Sequence, residues 1–168
     1  FVRDTLWNTT TAVTRLDVGG GGGQPSISAD GRYVAFSSGD STLVPGDTNG
    51  QTDVFVRDRS TGSVSRVSVD SSGNQADLRS DSPSISPDGR WTVFESQATN
   101  LVAGDTNGTW DVFVHDSVTG ATTRLSVAAD GTQGNGDSTT AVVRAHFISA
   151  DGRYVGTPTT TWMCSSTT

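Results

Sequence analysis

Short stretches of alternating apolar and polar residues, punctuated by Gly, Pro, Asn and Asp, run along almost the whole chain. Asp53-Val54-Phe55-Val56-Arg57-Asp58 and Asp111-Val112-Phe113-Val114-His115-Asp116 are one such stretch written twice, and Phe1-Val2-Arg3-Asp4 is part of a third copy. Aromatic and β-branched residues at period two suit half-buried strands. A second alternating stretch follows each copy: Val13 to Val18, Val64 to Val69 and Thr122 to Val127. Next come Pro25-Ser26-Ile27-Ser28, Pro83-Ser84-Ile85-Ser86 and His146-Phe147-Ile148-Ser149. Each runs into an Asp-Gly-Arg turn (Asp30, Asp88, Asp151) and then an aromatic-led strand beginning at Tyr33, Trp91 or Tyr154. Asp-Gly closes a tight hairpin because Gly tolerates positive φ, and Thr61-Gly62 and Thr119-Gly120 supply a second hairpin. No helical period survives this punctuation. The pattern predicts an all-β chain with four antiparallel strands in each repeated unit.

The units are tied together by a longer phrase. Asp47-Thr48-Asn49-Gly50 precedes one copy of Asp-Val-Phe-Val, and Asp105-Thr106-Asn107-Gly108 precedes the other at the same spacing. A fixed period of this length belongs to stacked repeats, in which a unit buries its apolar face only against a neighbour.

PSISADGRYVAF and PSISPDGRWTVF resemble the TolB-type β-propeller repeat, and the DTNGxxDVFVRD extension is similar to repeat proteins of that group from GC-rich bacteria. The resemblance reaches to about Val155. It implies a β-propeller with three four-stranded blades per chain. Residues 1–24 would give the third and fourth strands of a shared blade. Residues 25–82 and 83–145 would form whole blades, and 146–168 the first strands of a shared blade plus an abnormal tail. Closed propellers use about four to eight blades, so the expected assembly is a homodimer closing a six-bladed ring; the alternative is a portion of a longer propeller. Past Val155 the repeat gives way to GTPTTTWMCSSTT. In a displaced reading frame the codons from Trp162 onward can encode Asp-Val-Phe-Val-His-Asp, so a frameshift is expected there. The resemblance also implies a bacterial periplasmic or secreted location, although the chain shows no signal sequence.

Composition narrows the partners. The net charge is −7 and the pI about 4.5 over 168 residues, which argues against nucleic acid, whose phosphates call for clustered cations. All 11 basic residues are Arg. No apolar run is long enough to span a membrane. Cys164 is the single cysteine, so neither an intrachain disulfide nor a CxxC metal site can form.

The DTNG loops are the strongest candidates for a metal. Asp47, Asn49, Asp53 and the carbonyl of Gln51 place oxygen donors around a Gly-permitted turn, and Asp105, Asn107, Asp111 and the carbonyl of Thr109 repeat the set. Calcium takes about six to eight oxygens from such loops. The competing reading is an Asn-Gly turn whose Asp side chains cap local amides. His146 lies in a lengthened connector near Asp137 and Ser138, the weak catalytic candidates, without the spacing of a triad. His115 takes the place of an Arg on a strand. Gly19 to Gly23 lacks the Lys-Ser/Thr of a phosphate loop.

The functional expectation is a non-catalytic scaffold binding a protein, peptide or glycan, with structural calcium in the DTNG loops and no organic cofactor. The alternative is a calcium- or metal-dependent hydrolase of the esterase or lactonase kind, with its site in the central channel of the dimeric ring.

Overall fold

The computed structural model describes residues 2–6, 8–11, 25–138 and 147–156. β1 (Val2–Asp4) and β2 (Thr9–Thr11) form an antiparallel pair. The first four-stranded sheet contains β3 (Ser26–Ile27), β4 (Tyr33–Ser38), β5 (Asp53–Asp58) and β6 (Val64–Arg66), paired in chain order. The second repeats this meander with β7 (Ser80–Ile85), β8 (Trp91–Ser96), β9 (Asp111–Asp116) and β10 (Thr122–Arg124). A last antiparallel pair joins β11 (Phe147–Ile148) and β12 (Val155–Gly156).

Register follows from the period-two pattern. Phe36 stands opposite Phe55, and Phe94 opposite Phe113. Both ring pairs are stacked with centroids 5.8 Å apart, an arrangement worth about 0.5–1.5 kcal/mol beyond burial. A slip by one residue would turn each ring to the opposite face of its sheet.

The core lies in layers. Val34, Phe36 and Phe55 pack on one face of the first sheet with Leu43, Val44 and Val64. Val54 and Val56 point the other way and meet Phe94, Phe113, Ala98 and Leu101. On the far side of the second sheet, Val93, Val112 and Val114 meet Ile148, with Trp91, Leu125 and Val155 at the margin. Each sheet is therefore covered on both faces, which is why Asp-Val-Phe-Val is apolar at consecutive positions. Full burial of a Val or Phe side chain contributes about 1.5–3 kcal/mol.

Polar bonds pin one sheet to the next. The Ala29 amide donates to the Pro87 carbonyl at 2.9 Å, and the Ile85 amide donates to Ser26 Oγ at 3.1 Å. Ser37 Oγ donates to Asp81 Oδ1 at 2.6 Å. Asp81 stands at a bulge in β7, where the register shifts before Ser84 and Ser82 has a φ of 54°. The extra residue bends the strand locally and re-aims its side chains.

The expectation of three four-stranded blades per chain, closed into a six-bladed ring by a homodimer, is corrected. The described residues form two four-stranded sheets and two two-stranded pairs, and each sheet is flat and open rather than closed or curled. The physical reason is the meander itself. Consecutive strands pair in order, so β3 and β6 end at opposite edges of one sheet, and β7 and β10 at opposite edges of the other. Repeat counting enumerates units of sequence; it does not specify how their sheets are arranged around an axis.

Candidate functional site

Asn49 shapes the first DTNG loop. Its Oδ1 accepts from the Gln51 amide at 2.9 Å, and Gly50 takes a φ of 65° to complete the turn. Its Nδ2 donates to the Ala76 carbonyl at 2.8 Å and to Asp53 Oδ2 at 3.1 Å. Both partners only accept, so the NH₂ end of the amide must face them. The Asp53 side chain is wholly buried; its Oδ1 accepts from Ser68 Oγ at 2.6 Å.

A guanidinium stands between the two loop carboxylates. Arg66 Nη1 lies 3.4 Å from Asp47 Oδ1 and 3.5 Å from Asp53 Oδ2. It also donates to Gln75 Oε1 at 2.8 Å, while Gln75 Nε2 donates to Thr48 Oγ1 at 2.8 Å. The second loop repeats the arrangement. Arg124 Nη1 lies 3.6 Å from Asp105 Oδ1 and 3.8 Å from Asp111 Oδ2. Gln133 Nε2 donates to Asp105 Oδ1 at 2.8 Å, and Asn107 Nδ2 donates to Asp111 Oδ2 and the Gly134 carbonyl. Thr109 gives its amide to Asn107 Oδ1.

Two carboxylates share one cation in each clasp. Burial pushes the Asp47 carboxyl above its ordinary range and the Asp53 charge adds to this, against the opposing pull of Arg66. Asp105 moves the same way through burial, opposed first by the Gln133 hydrogen bond and reinforced by Asp111. As a metal site the donor set fits poorly as arranged. A guanidinium occupies the space between the carboxylates, and Asn49 and Asn107 turn NH₂ groups rather than oxygens toward them. Among the described residues no group of three or more His, Cys, Asp or Glu is placed to hold a metal ion.

The clasp residues Arg66, Ser68 and Gln75 were missed by the sequence reading. Their signal was present: Arg124, Ser126 and Gln133 recur in the same register.

The Asp-Gly-Arg turns are built identically. Ser28 Oγ donates to Asp30 Oδ1 and accepts from the Tyr33 amide, while the Arg32 amide donates to Asp30 Oδ1. Ser86 with Asp88 and Ser149 with Asp151 repeat these bonds. Arg32 then reaches Asp58 through two bonds of 3.1 and 2.7 Å, and Arg90 reaches Asp116 through bonds of 2.8 and 2.7 Å. These arginine bonds hold the carboxyls of Asp58 and Asp116 well below the usual carboxylate range.

Two of the weak catalytic candidates, Asp137 and Ser138, lie among the described residues, and both engage the backbone rather than each other's side chains. Asp137 Oδ1 accepts from the Trp110 amide and the Ser138 amide donates to the Trp110 carbonyl, so both bracket the Trp110 backbone. His146 lies outside the described residues, as do Gly19 to Gly23, Trp7, Trp162 and Cys164. His115 is buried on β9, its Nδ1 2.9 Å from Thr122 Oγ1. Burial lowers its pKa, with Asp116 opposing.

Fold and clasps together define an all-β repeat protein whose turns are cross-braced by arginine–carboxylate pairs. Its fold is similar to that of TolB from Acinetobacter baumannii, with a TM-score of 0.53 and 22% sequence identity. That likeness covers 91% of this chain and 30% of the TolB chain, so the chain spans under a third of its length. A putative TolB from Agrobacterium tumefaciens gives a TM-score of 0.45 at 19% identity, covering 70% of this chain and 33% of that one. No family model matches the sequence, and no curated protein does.

Proposed function

We propose that the chain is a non-catalytic interaction scaffold of the TolB-like kind, presenting its stacked sheets to a protein, peptide or glycan. The observation that carries this reading is where the charged groups are spent. Asp58 and Asp116 hold turn arginines; Asp47, Asp53, Asp105 and Asp111 hold Arg66 and Arg124. Asp30, Asp88 and Asp151 hold turn amides. Carboxylates committed in this way brace a rigid surface. A bacterial periplasmic or secreted setting belongs with the same reading.

In this scaffold the DTNG loops are stiffened by Arg66 and Arg124, and calcium is not required for their shape. The discriminating experiment pairs a glycan and peptide array with a panel of ester and lactone substrates, each with and without chelator. Saturable binding without turnover is expected. Chelator-sensitive turnover of any ester or lactone would overturn the proposal.

A further inference from the structure

One contact recurs between successive units. Tyr33, at the start of β4, lies on Gly89 in the next Asp-Gly-Arg turn; a Cβ on that glycine would come within 3.0 Å of the ring. Trp91, at the start of β8, lies on Gly152 of the following turn in the same way. Each ring is backed by the arginine before it, with Arg32 4.8 Å from the Tyr33 centroid and Arg90 4.6 Å from that of Trp91. The isoleucine beside each covered glycine is buried: Ile85 is 5% and Ile148 7% exposed.

Among the described residues, both halves of this contact also occur unmatched. Tyr154 holds the third aromatic position, with Arg153 5.6 Å from its centroid, yet it is 65% exposed. Gly31 holds the first glycine position, and no aromatic ring of the described residues lies within 4 Å of its Cβ site. Its isoleucine, Ile27, is 45% exposed, unlike Ile85 and Ile148.

We propose that the face carrying Tyr154 docks head-to-tail on the Gly31–Ile27 face of a second copy of this chain, repeating between molecules the contact that Tyr33 and Trp91 make within one. The interface continues one already built twice, with the same glycine, isoleucine, aromatic and arginine. In place of a ring, Arg59 covers the Gly31 socket, its Nη1 3.6 Å from the Cβ site and donating to the Gly31 carbonyl at 2.6 Å, where a guanidinium can meet an arriving aromatic face. The backbone matches as well. Ala29 donates to the Pro87 carbonyl within the chain, and by the repeat Ala150 would donate to the Ala29 carbonyl of the second copy. The two faces differ, so the contact is heterologous, and it requires no closed ring.

The test is mass in solution, by sedimentation and light scattering, from low concentration to about 200 μM. The wild-type chain is expected to gain mass with concentration. Tyr154→Ala should weaken association at least about tenfold, as for a buried aromatic anchor, and Tyr154→Trp should retain it because Trp91 already fills such a socket. Ile27→Asp should also abolish association. Both altered side chains are exposed, and circular dichroism should show each variant folded. An equimolar mixture of the two variants should recover a dimer, because one keeps the socket and the other keeps the aromatic. A monomeric wild type, undiminished association of Tyr154→Ala, or a mixture that stays monomeric would overturn the proposal. These readouts are independent of the ligand and turnover assays, so the scaffold reading and this interface can fail separately.

Discussion

Arg66 Nη1 sits between two carboxylates of the loop it stabilises, 3.4 Å from Asp47 Oδ1 and 3.5 Å from Asp53 Oδ2. Arg66→Met should leave two buried carboxylates facing each other. Loss of one partner of a buried ion pair costs about 3–5 kcal/mol, and urea unfolding should read a fall of that size in the midpoint-derived stability. The same substitution at Arg124 should act similarly. Millimolar calcium should restore part of the loss in Arg66→Met while leaving the wild type unchanged; a wild type strongly stabilised by calcium would place the metal, not the guanidinium, in the loop.

Acid sensitivity should divide by position. The folded-state pKa of Asp116 lies below its unfolded value because of the Arg90 bond. Its contribution is present above the unfolded carboxylate value of about pH 4 and is lost progressively over the range from there down to the depressed folded-state pKa. Asp116→Asn should therefore be less stable than wild type at neutral pH, with the gap closing on acidification. Denaturant midpoints measured across that range would show it.

Asp47 should behave with the opposite sign. Its folded-state pKa lies above the unfolded value, chiefly through burial, so the folded state takes up a proton more readily and loses stability as pH rises past the carboxylate range. Asp47→Asn should be more stable than wild type at neutral pH and converge with it in acid. A neutral-pH loss of stability would show that attraction to Arg66 outweighs burial.

Close approach at Gly89 separates two costs of a side chain. Gly62 and Gly89 have φ of 79° and 78°, but a Cβ at Gly62 meets open space while one at Gly89 meets the Tyr33 ring. Gly62→Ala should cost about 1 kcal/mol from backbone strain. Gly89→Ala should cost clearly more, and Tyr33→Ala should relieve the excess in a double-mutant cycle. Equal costs at the two positions would show that the aromatic contact yields freely.

Phe94 and Phe113 are wholly buried and stacked across β8 and β9. Phe94→Ala should cost about 3–5 kcal/mol, read from the shift in urea midpoint. A loss under about 1 kcal/mol would mean that the layer between the sheets can collapse around the cavity.

The strands were legible because their signal is local. Val54, Phe55, Phe94 and Phe113 announce themselves through period two and β-branching, and the Asp-Gly-Arg and Asn-Gly turns through positive-φ chemistry. The partners of Asp53 were not legible in the same way. Arg66, Ser68 and Gln75 reach the DTNG loop from β6 and the segment after it, and only hairpin pairing brings them there. Their recurrence as Arg124, Ser126 and Gln133 carried the information, but a repeated polar residue reads equally well as a solvated one.

The sequence by itself determined an all-β repeat chain, its turns and its buried strand faces, because those depend on neighbouring residues and on short-range backbone sterics. Tertiary structure alone decided that the sheets are open meanders, that guanidinium groups lie between the loop carboxylates, and that Tyr33 and Trp91 rest on glycines of the next turn. Such contacts join residues far apart in the chain, and their geometry depends on packing density, burial and charge balance that no local pattern encodes.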